Sequence, residues 1–290
     1  MIDLLNFDTF KLMNKIFNYI KLTRPLNCFI TAFVVFVGGI ISSKIDSFNI
    51  ILFLASVTAA IVAASGNVIN DYFDIEIDKI SHPDRPLASG KITPASSLKY
   101  YSFLVLISLA ISFFLNIKLF TITILVLIIL FLYSIYLKKI PLIGNLTVAS
   151  LTALAFIFGG VAVNNIEATI IPAAFAFMIN LVRELVKDAE DFEGDKSNNV
   201  ITFPIRFGMN ATKYIVGFLV LSLIGFTFYP FLAQLYKIEY FVLIMLIVNP
   251  LLIVVLKKLF LNEEKENYHQ ISIILKLDMI FGLIAIYLGK

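Results

Sequence analysis

The chain has 290 residues, of which 60% are hydrophobic and 15% are charged. Soluble domains contain about 45–50% apolar and about 25% charged residues, so this composition excludes an ordinary water-soluble fold. The single cysteine, Cys28, excludes an internal disulfide and a cysteine-based metal site. The net charge is only +3, and we expect no nucleic-acid partner.

The amino-terminal segment, residues 1–22, mixes large apolar side chains with lysines, among them Phe7, Phe17, Lys11 and Lys21. This mixture favours an amphipathic helix that lies in the membrane interface. The segment lacks the apolar core and the small-residue cleavage site of a signal peptide. We therefore expect an uncleaved interfacial helix.

Nine apolar runs follow, each about long enough to cross a membrane, since roughly 20 helical residues span the hydrocarbon core. They are residues 26–41, 50–69, 100–115, 119–137, 142–163, 170–186, 214–232, 240–256 and 271–288. The sequence thus predicts an all-α integral membrane protein of one domain, residues 1–290, with nine transmembrane helices in a bundle. The loops at about 70–99 and 187–213 are predicted to form a polar cap on the cytoplasmic side.

The distribution of lysine and arginine predicts the orientation in the cell membrane. If the amino terminus is cytoplasmic, only Lys44, Lys118, Lys237 and Lys290 of the 23 basic residues fall on the outer side. Lys276 is counted here with the cytoplasmic loop before the last span. The positive-inside rule therefore predicts a cytoplasmic amino terminus and a cytoplasmic mouth of the active site.

Two acidic clusters follow the second and the sixth span with the same spacing. They are Asn70, Asp71, Asp74 and Asp78 in the first cluster, and Asp188, Asp191 and Asp195 in the second. On one helix the aspartates of a cluster share a face, where stacked carboxylates repel one another. Hard oxygen ligands suit Mg²⁺, which proteins typically hold together with substrate phosphates. We predict two Mg²⁺ bridging a diphosphate, with all six aspartates catalytic and Asn70 as a further metal ligand.

The two clusters are also the clearest sign of an internal repeat. They lie four spans apart, and an even number of spans places both on the same side of the membrane. Gly38-Gly39 and Gly159-Gly160 lie at a similar offset, which favours a parallel four-helix repeat. The alternative, solvated loop carboxylates paired with nearby basic residues, is disfavoured because the spacing occurs twice.

At these residues the chain resembles the UbiA superfamily of intramembrane prenyltransferases, whose motifs read N-D-x-x-D-x-x-x-D and D-x-x-D-x-x-x-D. Both occur without a substitution, and the nine spans extend the resemblance over the whole chain. Residues 24–28, 82–90 and 183–195 look most like the superfamily's archaeal ether-lipid enzymes. That likeness implies transfer of a geranylgeranyl group from geranylgeranyl diphosphate to the free hydroxyl of geranylgeranylglyceryl phosphate. The alternative acceptor is aromatic, such as para-hydroxybenzoate or a naphthoate for quinone synthesis, or haem.

A further set of residues is predicted to bind the substrates: Arg24, Asn27, Asn67, Arg85, Lys91, Tyr133, Lys138, Lys139, Arg183 and Lys187. Lys138 and Lys139 are the preferred diphosphate ligands, because their loop lies between the two motif loops. Asn27 either positions the acceptor or caps a helix. His82 and His269 are expected to be surface residues. A motif aspartate or the departing diphosphate would accept the hydroxyl proton.

Two other classes of protein are alternatives to an enzyme. A secondary transporter places ionisable residues near mid-membrane, whereas the spans here are nearly free of charge away from their predicted cytoplasmic ends. A catalytically silent assembly factor does not need two intact motifs. The prenyl chain length and the oligomeric state stay open.

Overall fold

The computed structural model describes the backbone of residues 2–43, 49–197 and 200–290, and in these ranges the side chains from residue 13 onward. Lys44 and the side chains of Phe7 and Lys11, used in the sequence predictions, lie outside the described residues. The regular structure within these ranges is helical, with no strand.

The helices begin and end as follows: α1 Ile2–Thr23, α2 Pro25–Ser42, α3 Ile50–Phe73, α4 Ile75–Ser81, α5 Pro94–Leu115, α6 Ile117–Ile135, α7 Ile143–Ala162, α8 Glu167–Glu190, α9 Phe192–Ser197, α10 Phe203–Phe207, α11 Met209–Leu232, α12 Ile238–Leu243, α13 Asn249–Leu259 and α14 Lys265–Gly289. A 3₁₀ turn, Leu137–Lys139, precedes α7, and a π-helical turn, Ile244–Val248, joins α12 to α13.

Nine of the described helical segments are long and apolar enough to cross a membrane, with α12 to α13 counted as one. They coincide with the nine predicted spans, so the chain is a multi-pass membrane protein. Several helices continue beyond the apolar runs, because backbone hydrogen bonding does not stop at the first polar side chain. As a correction, Lys276 lies inside α14 and not in a loop.

The helix α1 carries an exposed apolar stripe. Met13, Phe17 and Ile20 are 65%, 64% and 48% exposed, and their spacing places them on one side of the helix. The buried Leu22 belongs to the core of the same structural unit. Location of the stripe in the membrane interface stays a prediction.

Internal contacts divide the chain into two compact units. The first comprises residues 1–37, 45–135 and 161–163. In this unit α3 packs against α1, α5 and α6. Gly66 of α3 faces Leu130, where an added Cβ would approach within 3.1 Å. The absence of a side chain at Gly66 therefore allows close packing of α3 against α6, the helix that contains Leu130.

The second unit comprises residues 38–44, 136–160 and 164–290. Here α14 packs against α8, α12 and α13, and α11 packs against α8. A Cβ on Gly38 would lie 2.8 Å from the carbonyl oxygen of Phe156, and one on Gly160 would lie 2.7 Å from the Thr169 methyl. The predicted pairs Gly38-Gly39 and Gly159-Gly160 thus each include one glycine whose lack of a side chain is needed for close packing.

Backbone conformation shows that the chain repeats itself. Arg24, directly before α2, has φ 51°, and Leu142, directly before α7, has φ 70°. Non-glycine residues seldom adopt positive φ. Gly90 and Gly208, at corresponding positions further along, have φ 73° and 88°. Arg24 and Leu142, and then Gly90 and Gly208, thus occur in the same order in the two halves, which supports the predicted four-helix repeat.

Candidate functional site

The first acidic motif lies where α3 meets α4. Asp74 separates the two helices with φ −97° and ψ 7°, and a ψ near zero is typical of a turn. Asp71 and Asp78 therefore belong to different helices. This corrects the expectation of one continuous helix face, and the cause is local, since aspartate favours helix ends over helix interiors.

Two arginines neutralise the outer aspartates of this motif. Arg24 forms an ion pair with Asp71, and Nη1 of Arg85 lies 2.6 and 2.7 Å from the two carboxylate oxygens of Asp78. Asp71 and Asp78 are only 2% and 4% exposed, and burial of a charge is tolerable when the charge is paired. Both predicted substrate ligands are thus counter-ions of the first motif.

Two asparagines of α3 support this arrangement. Nδ2 of Asn67 donates to the carbonyl oxygen of Thr23 at 2.8 Å, directly beside Arg24. This bond holds the corner between α1 and α2, so the structure gives Asn67 a positioning contact. Nδ2 of Asn70 donates to Oδ2 of Asp74 at 2.9 Å, which joins two polar residues of the first motif.

The second motif repeats the break between helices. α8 ends at Glu190, Asp191 adopts φ −91° and ψ 5°, and α9 begins at Phe192. Oδ2 of Asp188 accepts a hydrogen bond of 2.9 Å from Nδ2 of Asn145 on α7. An amide donor stabilises a carboxylate without cancelling its charge.

The charge of the second motif is also visible at Asp195. Burial, and then the neighbouring Asp191 carboxylate, raise the pKa of Asp195 from 3.8 to about 6. Among the residues that the structure describes, no arginine pairs with an aspartate of this motif. A bound cation would relieve the repulsion and favour the ionised form.

Two polar pairs lie beside the second motif. Arg183 contacts Glu184 at 2.6 Å, and Nδ1 of His269 lies 2.8 Å from Oε1 of Glu190. His269 was expected to be an ordinary surface residue, and it is indeed 52% exposed at the side chain. Its contact nevertheless connects α14 to Glu190, which directly precedes Asp191.

The other predicted ligands are placed as follows: Asn27 is exposed in the first turn of α2, Lys91 is exposed after Gly90, Tyr133 is half-buried on α6, Lys138 and Lys139 occupy the 3₁₀ turn, and Lys187 is exposed near the end of α8. The amide of Asn27 bonds to the carbonyl of Arg24, so Asn27 lies within the helix and not at its cap position.

Sequence reasoning missed Asn145, Glu184 and Glu190. The repeat provides a signal for Asn145, because this residue opens the fifth span much as Asn27 opens the first. The contact between His269 and Glu190 has no comparable signal, since it joins residues far apart in sequence.

The donor atoms fit magnesium. Every motif ligand is a carboxylate or amide oxygen, the ligand type that Mg²⁺ prefers. Within the described ranges, no three acidic, histidine or cysteine side chains come close enough to hold a metal ion. Mg²⁺ typically takes one or two carboxylates and completes its shell with water or phosphate oxygens.

The fold and the motifs define the class: a multi-pass helical membrane protein with two aspartate motifs of equal spacing. The sequence profile of the UbiA prenyltransferase family matches residues 31–276. The chain belongs to this family.

The most similar relatives share one description. The chain is 39% identical over 278 residues to digeranylgeranylglyceryl phosphate synthase of Methanococcus aeolicus, covering 95% of this chain and 98% of the relative. The Methanocaldococcus jannaschii synthase is 37% identical, with 96% and 97% covered.

Solved structures of similar proteins have the same fold. One described as digeranylgeranylglyceryl phosphate synthase in membranes has a TM-score of 0.84 and 36% identity, covering 95% of this chain and 98% of that chain. A UbiA homologue from Archaeoglobus fulgidus bound to GPP and Mg²⁺ has a TM-score of 0.71, 21% identity and coverage of 93% and 99%. That second likeness shows the fold.

Proposed function

We propose that this prenyltransferase transfers a geranylgeranyl group from geranylgeranyl diphosphate to the free hydroxyl of geranylgeranylglyceryl phosphate, forming an archaeal ether-lipid precursor. The observation that carries the proposal is the full-length similarity to two named synthases, in a chain that keeps both motifs without a substitution.

The reaction exchanges one carbon–oxygen bond for another. The allylic bond to the diphosphate breaks, the glyceryl hydroxyl oxygen bonds to the freed carbon, and the hydroxyl proton leaves. Because the electrophile is cationic, a strong base is unnecessary. The energetic problem is the charge of the leaving diphosphate.

We assign Mg²⁺ to the two motifs. The proposed ligands are Asn70, Asp71, Asp74 and Asp78 in the first motif, and Asp188, Asp191 and Asp195 in the second. Bound Mg²⁺ supplies electrostatic stabilisation of the leaving group. The Archaeoglobus homologue was solved with GPP and Mg²⁺, which supports metal-assisted binding of a diphosphate. Two ions, one for each motif, follow from the repeated spacing.

Arg24 and Arg85 are proposed to change partners during binding. In the structure they neutralise Asp71 and Asp78, and both side chains keep some exposure, at 33% and 27%. The planar donors of both guanidinium groups suit phosphate oxygens, so these arginines would exchange a carboxylate partner for a phosphate partner when the diphosphate binds. Lys91, Lys138, Lys139, Arg183 and Lys187 supply further positive charge, and Tyr133 and Asn27 supply polar contacts to the substrates.

Aromatic side chains next to the first motif are suited to protect a carbocation. The rings of Tyr72 and Phe73 are 5.3 Å apart, and Phe73 packs edge to face with Phe131 at 6.0 Å. Phe73 directly precedes Asp74. Aromatic faces attract cations, and apolar walls keep water from quenching them.

The test is product formation by the purified protein in detergent, with labelled geranylgeranyl diphosphate and each acceptor in turn. We expect a labelled digeranylgeranyl product with geranylgeranylglyceryl phosphate, its loss in EDTA and its return with Mg²⁺. A product with para-hydroxybenzoate alone would reject the proposed acceptor, and no metal-dependent product with any acceptor would reject the enzyme. The orientation, with the motifs cytoplasmic, is tested by labelling cysteines introduced at Lys91 and Lys118 from each side.

A further inference from the structure

A carboxyl group lies in the apolar part of α14, away from both motifs in sequence. Asp278 is 2% exposed, and its Oδ1 has no hydrogen-bond partner among the residues that the structure describes. An unpaired carboxylate is costly in protein interiors and in membranes, where ionisable residues are typically functional. A carboxyl in this position is therefore either neutral or balanced by a partner that the described side chains do not provide.

The direction in which Asp278 points follows from its neighbours along α14. Asn267, Asp278 and Gly289 are spaced by about three helical turns, so they share one face. At one end Asn267 donates to the carbonyl oxygen of Lys258 at 2.7 Å. At the other end the carbonyl oxygen of Gly289 accepts from the amide of Lys237 at 2.7 Å. This face of α14 therefore packs against the segment from α12 to α13.

These two contacts also fix the register of Asp278. The helices run antiparallel, since the start of α14 meets the end of α13 and its end meets the start of α12. Midway between the contacts, the register places Asp278 near residues 247–249, and Asn249 among them is 5% exposed. Asn249 is itself held in place, because its Oδ1 lies 3.2 Å from the hydroxyl of Thr227.

The helix backbone near Asn249 and Pro250 lacks a hydrogen-bond donor that a regular helix would have. The amide of Asn249 bonds to the carbonyl of Ile244 in the π-helical turn, and Pro250 has no amide hydrogen to offer. The carbonyl of Met245 therefore has no donor in the regular helical pattern. Such π-helical turns frequently mark functional positions.

Three oxygen atoms on these facing segments are candidate cation ligands: Oδ1 of Asp278, which has no hydrogen-bond partner among the described residues, Oδ1 of Asn249, and the carbonyl oxygen of Met245. A divalent ion would leave a net positive charge in the apolar interior, whereas a monovalent ion balances the one carboxylate. We propose that Asp278, Asn249 and the backbone opened by Pro250 bind a dehydrated monovalent cation, namely Na⁺. This site is separate from the prenyl-transfer reaction and does not depend on its assignment.

Binding of ²²Na⁺ to the full-length protein in detergent tests the site directly. We expect about one Na⁺ for each chain, lost in Asp278→Asn, which keeps the shape of the side chain and removes its charge. Asn249→Ala is the second variant, chosen in case Asp278→Asn fails to fold. Asn180→Ala is the matched control, because Asn180 is equally buried and bonds only to Ala176 of its own helix.

Calorimetry gives a second measurement, suited to a chain without tryptophan. At constant ionic strength, replacing choline by Na⁺ at about ten times its Kd should raise Tm by about 3–6 °C. The rise should persist in Asn180→Ala and vanish in Asp278→Asn or Asn249→Ala. An equal Tm in Na⁺ and choline for the unaltered protein would overturn the proposal and indicate a protonated Asp278. Equal ²²Na⁺ binding by Asp278→Asn would overturn it as well.

Discussion

The two aspartate motifs have the same spacing and the same break at their middle residue, but their surroundings differ. In the first half, Arg24 and Arg85 balance the charge of Asp71 and Asp78. In the second half, Asp188 has an amide partner, Asn145. One local sequence pattern thus gives two electrostatic environments, because the partners come from elements outside the motif.

The middle aspartate occupies the equivalent position in the two motifs, Asp74 in the first and Asp191 in the second. Asp74→Ala and Asp191→Ala should each lower turnover by about 100–1,000-fold, since each removes a ligand of the cation that stabilises the leaving group. Turnover of labelled geranylgeranyl diphosphate is the measurement. Glu76→Ala and Glu193→Ala are matched controls, because these exposed acids occupy non-motif positions and should keep near-normal turnover. Loss in only one of the two aspartate variants would show that the halves are not equivalent.

The charge balance of the first motif can be tested by stability. Arg85→Met leaves Asp78 buried without its partner, and we expect a loss of about 2–3 kcal/mol in the free energy of unfolding. The readout is the thermal midpoint in detergent. Lys187→Met, at an exposed position of the second half, should leave the midpoint unchanged.

Asp78→Asn in the Arg85→Met background should restore part of the stability, because it removes the uncompensated charge. An Arg85→Met protein as stable as the unaltered one would contradict the role of Arg85 as a structural counter-ion.

A smaller effect is expected at Asn145 in the second motif. Asn145→Ala removes the donor to Asp188 and should raise the Mg²⁺ concentration for half-maximal turnover by about 10-fold, the usual effect of losing a group that orients a metal ligand. Thr147→Ala is the control on the same helix, since Thr147 bonds only to the backbone of Ile143. An unchanged magnesium requirement would separate Asn145 from the metal.

The smallest effects concern the turns after the motifs. Gly90→Ala and Gly208→Ala should each destabilise by about 1–2 kcal/mol, because a side chain at positive φ is strained. Gly225→Ala in α11, where an added Cβ meets nothing within 4 Å, should be neutral or slightly stabilising. Unequal costs at Gly90 and Gly208 would weaken the equivalence of the two repeats.

The sequence was sufficient for the spans, the motifs and the repeat, because hydropathy and equal spacing are properties of the chain itself. It was insufficient for the partners of Asp71, Asp78 and Asp188, since each partner belongs to another helix or loop. The breaks at Asp74 and Asp191 were missed because helical periodicity does not report a single turn residue. Asp278 was overlooked for a related reason: one acid within a long apolar run hardly changes the mean hydropathy.

The ion pairs of the first motif have a consequence for how the protein is made. Three clustered carboxylates would ordinarily resist leaving water until a metal arrived to balance them. Arg24 and Arg85 belong to the same chain as these carboxylates and pair with two of them, so the first motif is partly neutralised without a metal. Folding of the first motif therefore does not require a bound metal, and folding and the proposed binding of magnesium can be separate events.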